Sequence, residues 1–144
     1  MKIALTAAVA AIALASASYY FTQSPTTEVS QSSTPAQGDP MVSVRLPDDL
    51  SPQAGMGKRA FDATCAACHG ENASGRLGFG PPLVHKIYEP GHHGDEAFQI
   101  AAQNGVRAHH WKFGDMPAQT GLTRADVAAI VTYIRKLQRA NGID

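Results

Sequence analysis

Two stretches of the chain, residues 70–94 and 105–121, are long, irregular and rich in glycine and proline. They separate segments with helical patterning, and no strand-like alternation of useful length occurs anywhere. The expected fold class is therefore all-α, with three main helices and unusually large loops. Such a domain has an energetic difficulty. The 94 residues from Ser51 to Asp144 bury little apolar surface among themselves, and structureless loops of this size are uncommon in compact domains. The difficulty is removed if a large apolar group lies at the centre and the loops pack on it.

The helices are marked at their ends. In "SPQAGMGKRAFDATC", Ser51 is a candidate N-cap, Pro52 suits the first helical position, and Met56, Ala60 and Phe61 share one side, with Met56 expected in the core. A second helix is expected from about Asp95, where "GDEAFQIAAQNG" begins with acidic residues and stops at Asn104-Gly105. The third, "LTRADVAAIVTYIRKLQRANG", places Val127, Ile130, Val131, Ile134 and Leu137 at helical spacing. Thr123 and Asp126 resemble a capping box with Asp in place of the usual Glu or Gln, and Asn141-Gly142 supply the stop.

Upstream, "MKIALTAAVAAIALASASYYF" carries one lysine and then no charge until Glu28. Ala15-Ser16-Ala17 has the small-x-small form of a signal-peptidase site, so residues 1–21 fit a cleaved secretory signal. The apolar run continues to Phe21, however, and is just long enough to span a bilayer as an anchor. Both alternatives imply export of the remainder, and both stay open. Residues 22–50, rich in Ser, Thr, Gln and Pro, have the composition of a flexible linker, and the folded part is expected from 51 to 144.

Charge excludes one class of partner. Residues 51–144 carry ten Lys/Arg against eight Asp/Glu, a net of +2, and residues 22–50 one against four, a net of −3. Neither value suits a nucleic-acid ligand, and no Gly-rich phosphate loop is present.

The only two cysteines fall in "TCAACHG", Cys65 and Cys68, with His69 directly after. A structural zinc site needs a second cysteine pair or two well-spaced histidines. Neither exists: His92-His93 and His109-His110 are adjacent doublets whose side chains are not expected to converge on one ion. A thioredoxin-like dithiol needs a βαβ setting, and no strands are available. A plain disulfide would explain neither His69 nor the loops. C-x-x-C-H is the attachment sequence of c-type haem. Two thiols add across the vinyl groups, and the next residue offers its imidazole to the iron. One covalently attached haem c, with its iron, thus answers both the motif and the loops.

From these residues the chain resembles the class I cytochromes c, specifically the small bacterial monohaem members, over residues 51–144. The fold implied is the cytochrome c fold, its helices and loops wrapped around the haem. The resemblance places Gly57 and Phe61 of the first helix against the last helix, with Tyr133 as the aromatic that Phe61 meets. "GPPL" at 80–83 resembles the loop whose proline, here Pro81, offers its carbonyl to the iron-ligating histidine. "GDMPA" at 114–118 resembles the loop that supplies a thioether, which implies His69 and Met116 as the iron ligands. The rival sixth ligands are His85, His92, His93, His109 and His110. Tyr88 and Trp111 either bond a haem propionate or pack in the haem pocket.

With both axial positions filled by protein, the resemblance implies no enzyme but a single-electron carrier, exported to the periplasm, with transient redox protein partners. Lys58, Arg59, Arg76, Lys86 and Lys112 either ring the haem edge or form an ordinary solvated surface. A tethered subunit or relay of a larger oxidase or dehydrogenase is the alternative, and a catalytic or gas-sensing haem protein a third.

Overall fold

The computed structural model describes residues 34–144, so residues 1–21, expected to be a signal or anchor, and the first part of the expected linker lie outside the described residues. Among the described residues the architecture is helical. β-Structure is confined to three isolated bridges, Pro40 with Arg76, Arg76 with Gly80, and Val106 with Met116.

Helix α1 (Pro52–Thr64) starts where Ser51 Oγ accepts the Ala54 N–H at 3.2 Å. It runs almost directly into a single turn, α2 (Ala66–His69), with Cys65 at the junction. Gly70, at φ 75°, ends that turn. Helix α3 (Asp95–Asn104) opens on Asp95 and Glu96, which suit the positive end of its dipole, and closes on Gly105. Helix α4 (Arg124–Ala140) carries a complete capping box. Thr123 Oγ1 accepts the Asp126 N–H at 3.2 Å, and Asp126 Oδ2 accepts the Thr123 N–H at 2.9 Å. Aspartate thus serves in place of the longer acids. All three expected helices are present at the expected places.

The core lies where α1 crosses α4. Ala54, Gly57 and Phe61 form the buried stripe of α1, and Phe61 meets Tyr133 with ring centroids 5.8 Å apart. Met56 does not join them. It is 52% exposed, a correction with a physical cause: Gly57 takes the central contact position. A Cβ on Gly57 would overlap the Ala129 carbonyl, so the absence of a side chain lets the two backbones touch. The face of α1 is set by its smallest residue, which turns Met56 outward.

Residues 34–50, counted with the linker on composition, lie against the domain, and the compact unit runs Thr34–Asp144. Their contacts are largely backbone ones. Gly38 donates to Leu77 O and Leu77 to Asp39 O, each at 2.9 Å, while the Met41 and Val42 N–H groups both reach Ser74 O. Further on, Arg45 N–H donates to Asn141 Oδ1 at 2.8 Å and Asn141 Nδ2 returns a bond to Arg45 O at 2.9 Å. Val44 and Leu50 pack on the core. A polar composition identifies side chains with little to bury but says nothing about main-chain partners.

Candidate functional site

The large loops and the helices enclose a cavity of about 480 Å³, within the range of cofactor sites. Cys65, Cys68, His69, Pro81, Tyr88, Trp111 and Met116 all line it. Its deeper walls are apolar, with Phe61 from α1, Ala101 and Ala102 from α3, and Val127, Ile130 and Ile134 from α4.

Each wall is held by local structure. The α1–α2 junction brings Cys65, half-buried, and Cys68, exposed, to one side as free thiols. Burial, with Cys68 adding to it, pushes the Cys65 thiol up to about 11. An activated thiol would need a lowered value, so Cys65 is not primed as a nucleophile. His69 Nδ1 is 2.9 Å from Pro81 O; the carbonyl can only accept, so the proton sits on Nδ1 and Nε2 keeps its lone pair. Burial holds this imidazole below its ordinary value, with the Pro81 bond pulling the other way. The result is a neutral, oriented imidazole, the form that ligates metals.

Met116 comes from the second large loop. Val106 and Met116 exchange both backbone hydrogen bonds at 2.9 Å. Gly105, at φ 73°, lets the end of α3 approach the Met116 carbonyl, where a Cβ would collide. The thioether loop is therefore fastened by main chain. Trp111 stacks on Phe113, centroids 5.9 Å apart, and takes an edge contact with His85. Its indole Nε1 is buried with no hydrogen-bond partner among the described residues. An orphaned buried donor costs about 1–3 kcal/mol, so an unpaired donor on a cavity-lining residue fits a cofactor that brings an acceptor. Tyr88 stands close by; burial pushes its phenol up, and the neighbouring Trp111 N–H, outside hydrogen-bonding geometry, acts weakly in the opposite sense. An apolar cavity, two thiols beside it, a fixed imidazole and an unpaired donor together fit a covalently held haem.

Of the rival histidines, His93, His109 and His110 line the cavity. His85 is engaged otherwise, its Nδ1 accepting the Ile87 N–H at 3.2 Å to cap a short 3-10 turn. The two doublets do converge, against expectation. Ring centroids are 4.7 Å apart for His92–His93, 5.4 Å for His93–His110 and 5.6 Å for His92–His110. The two rings of each doublet lie side by side, and two loops meeting at the cavity rim bring one doublet onto the other. His110 is held below its ordinary value, by desolvation first and then by its three neighbours.

The sequence reading had not singled out Arg135 and Gln138, which are nevertheless buried on α4. Arg135 donates to Asp95 Oδ1 at 2.8 Å, Tyr88 O at 2.7 Å and Gln138 Oε1 at 2.6 Å, and also to His93 O. Its guanidinium lies 5.0 Å from the Phe98 ring centre. Gln138 Nε2 donates to Leu83 O and Tyr88 O at 2.8 and 2.9 Å. These two side chains tie the 83–93 loop, and so Tyr88 and His93, to the core helix. The available signal was position: 135 and 138 directly follow Ile134 and Leu137, in the stretch of α4 that is buried from Val127 to Gln138 on more than one side. Two of the five cations that could either ring the haem edge or form an ordinary surface have partners within the chain. Lys58 pairs with Asp62 at 2.6 Å, and Arg76 donates to Ala67 O at 2.8 Å while stacking on Phe79.

Comparison with known proteins agrees with this geometry. The cytochrome c family model matches residues 54–138. The chain is 38% identical over 90 residues, 58% of its length, to the Cbb3-type cytochrome c oxidase subunit CcoP of Azospirillum brasilense. It is 36% identical over 94 residues, 64% of its length, to the Cbb3-type cytochrome c oxidase subunit FixP of Bradyrhizobium sp. (strain ORS 278). The matches cover 28% and 30% of those subunits, so the chain spans less than a third of these relatives. The matched region contains the thiol pair, the fixed imidazole and the thioether loop, and the chain belongs to the cytochrome c family, whose cofactor is a covalently attached haem c.

Proposed function

We propose that this protein carries single electrons between redox partners as a class I monohaem cytochrome c, with Cys65 and Cys68 as attachment points and His69 and Met116 as iron ligands. The observation that carries the reading is the convergence of these four side chains on one apolar cavity, with His69 oriented by Pro81 O at 2.9 Å. Haem iron, when bound, supplies a one-electron change of oxidation state, and thioether ligation favours the reduced form relative to two histidines. The chain's residues do the rest. His69 and Met116 would hold the iron between a nitrogen and a sulfur and leave no open site for substrate, so the domain would be no enzyme by itself. Phe61, Ile130 and Ile134 keep the cavity apolar, and Trp111 Nε1 would be free to donate to a haem propionate. Phe79 and Ile100, lining the cavity yet 42% and 51% exposed, give partners an apolar rim for the small, transient contacts typical of redox encounters. Arg59, Lys86 and Lys112 supply the steering charge.

The relatives favour a second form of the same reading, in which the domain is a tethered relay of a larger oxidase. Both are named as oxidase subunits. In either form the apolar run at 3–21 directs export to the periplasm, as a cleaved signal or an inner-membrane anchor. Among the described residues no helix is long and apolar enough to cross a membrane.

Met116→Ala in the holoprotein tests the ligand pair. Loss of the weak long-wavelength sulfur-to-iron band, with gain of carbon monoxide binding by the reduced form, is expected. A bis-histidine spectrum in the unmutated protein removes Met116 from the assignment. Co-purification with an oxidase separates the relay from the free carrier.

A further inference from the structure

Electron transfer through the haem leaves His92, His93, His109 and His110 without a role, yet two separate loops gather them at the cavity rim. Nitrogen atoms of His92, His93 and His110 lie within 4.8 Å of one another. Around a tetrahedral ion with metal–nitrogen bonds of about 2.0–2.1 Å, ligand nitrogens stand about 3.3 Å apart. The remaining approach is about 1.5 Å, which rotations about the side-chain bonds of the exposed His92 and His110 can supply.

His93 is already prepared. Its Nδ1 is 2.6 Å from Ile87 O, which must accept, so Nδ1 bears the proton and Nε2 is left as a donor of its lone pair. Ligating histidines are typically supported in this way by a carbonyl on the far nitrogen. Its main chain is fixed too, since His93 O accepts from the buried Arg135. His109 lies close behind, its ring tilted against that of His110 with centroids 4.2 Å apart and its own Nδ1 on Arg107 O at 2.9 Å. All the grouped donors are imidazole nitrogens and none is a carboxylate. That donor set selects zinc or copper over magnesium or calcium.

We propose that His92, His93 and His110 bind one divalent transition-metal ion, zinc or copper, at the rim of the haem cavity, with His109 in reach as a fourth nitrogen. The site does not depend on the identity of the sixth iron ligand, provided that none of these histidines serves as that ligand. Zinc titration of the EDTA-treated, full-length holoprotein by isothermal calorimetry tests it. One equivalent per chain is expected, weakened roughly tenfold or more in His92→Ala and in His110→Ala, and lost in the double variant. Because His93 also anchors its loop, the exposed His92/His110 pair carries the decision, with an unchanged haem absorbance spectrum confirming an intact fold. No binding by the unmutated protein, or equal affinity in the double variant, overturns the proposal. So does a bis-histidine haem spectrum that any of these substitutions abolishes.

Discussion

Gly57→Ala sets two ordinary rules against each other. Alanine is the better helix former by about 1 kcal/mol, and α1 has ordinary helical neighbours on both sides, so propensity alone predicts a more stable protein. The structure predicts the reverse. A Cβ on Gly57 would overlap the carbonyl of Ala129 and stand 2.9 Å from Ile130 N. These are backbone atoms inside α4 and cannot rotate away. Relief requires the helices to part by about 1 Å, and a gap of that size forfeits a quarter to a half of the dispersion energy at the contact. The contact includes Phe61 against Tyr133, both essentially inaccessible. Overpacking of this kind costs about 1–3 kcal/mol, and immovable backbone puts this site at the upper end. After the propensity gain, the net loss is about 2 kcal/mol. Guanidinium unfolding of the holoprotein, followed by helical circular dichroism, measures it. A midpoint at or above that of the unmutated protein, with unchanged slope, refutes the close-approach argument.

Tyr133→Phe removes the hydroxyl that donates to Asn72 Oδ1 at 3.0 Å and costs about 1 kcal/mol at neutral pH. Burial, then Asp62 and Glu71, raise this phenol from 10.0 to about 12, so the folded state holds the proton more tightly. Its stabilising contribution is complete below pH 10 and is lost as pH rises toward 12, a dependence that denaturation of the Phe variant should lack. Arg135→Lys is expected to destabilise almost as much as Arg135→Met, by about 3 kcal/mol, because one ammonium cannot reach the carbonyls of Tyr88 and His93 together with Asp95 and Gln138; full rescue by lysine in thermal unfolding contradicts this. The Asp126 carboxyl is held below its usual value of 3.8 by the hydroxyl and N–H of Thr123. A lowered value means a contribution present at neutral pH and lost on acidification, so the stability difference between Asp126→Asn and the unmutated protein should shrink as pH falls through the range below 3.8.

Much of the fold was legible because its signals are local. Ser51 with Pro52, Thr123 with Asp126 and Asn141 with Gly142 bound helices without reference to the rest of the chain. The cavity residues were legible for another reason: the spacing of Cys65, Cys68 and His69 is dictated by the group they hold, and the cavity was anticipated from the size of the loops. What escaped was long-range. Met56 has the right character for the core, and only the approach of α4 to Gly57 turns it away. Arg135 and Gln138 look like solvent-facing positions until the 83–93 loop folds over them with carbonyls to satisfy. The meeting of the histidine doublets depends on two loops separated by all of α3, and no local pattern encodes it.

The segment at 34–50 has a mechanical consequence. It is clasped to Ser74 and Leu77, in the loop that leads from the cysteine motif to Phe79, Gly80 and Pro81 in the cavity wall. Tension arriving along the chain from upstream would therefore load Ser74 and Leu77 before it reached α1. Strain would fall on the stretch of chain that leads to Pro81, the carbonyl partner of His69, so a pull from upstream and the orientation of that imidazole are linked by a few residues of main chain.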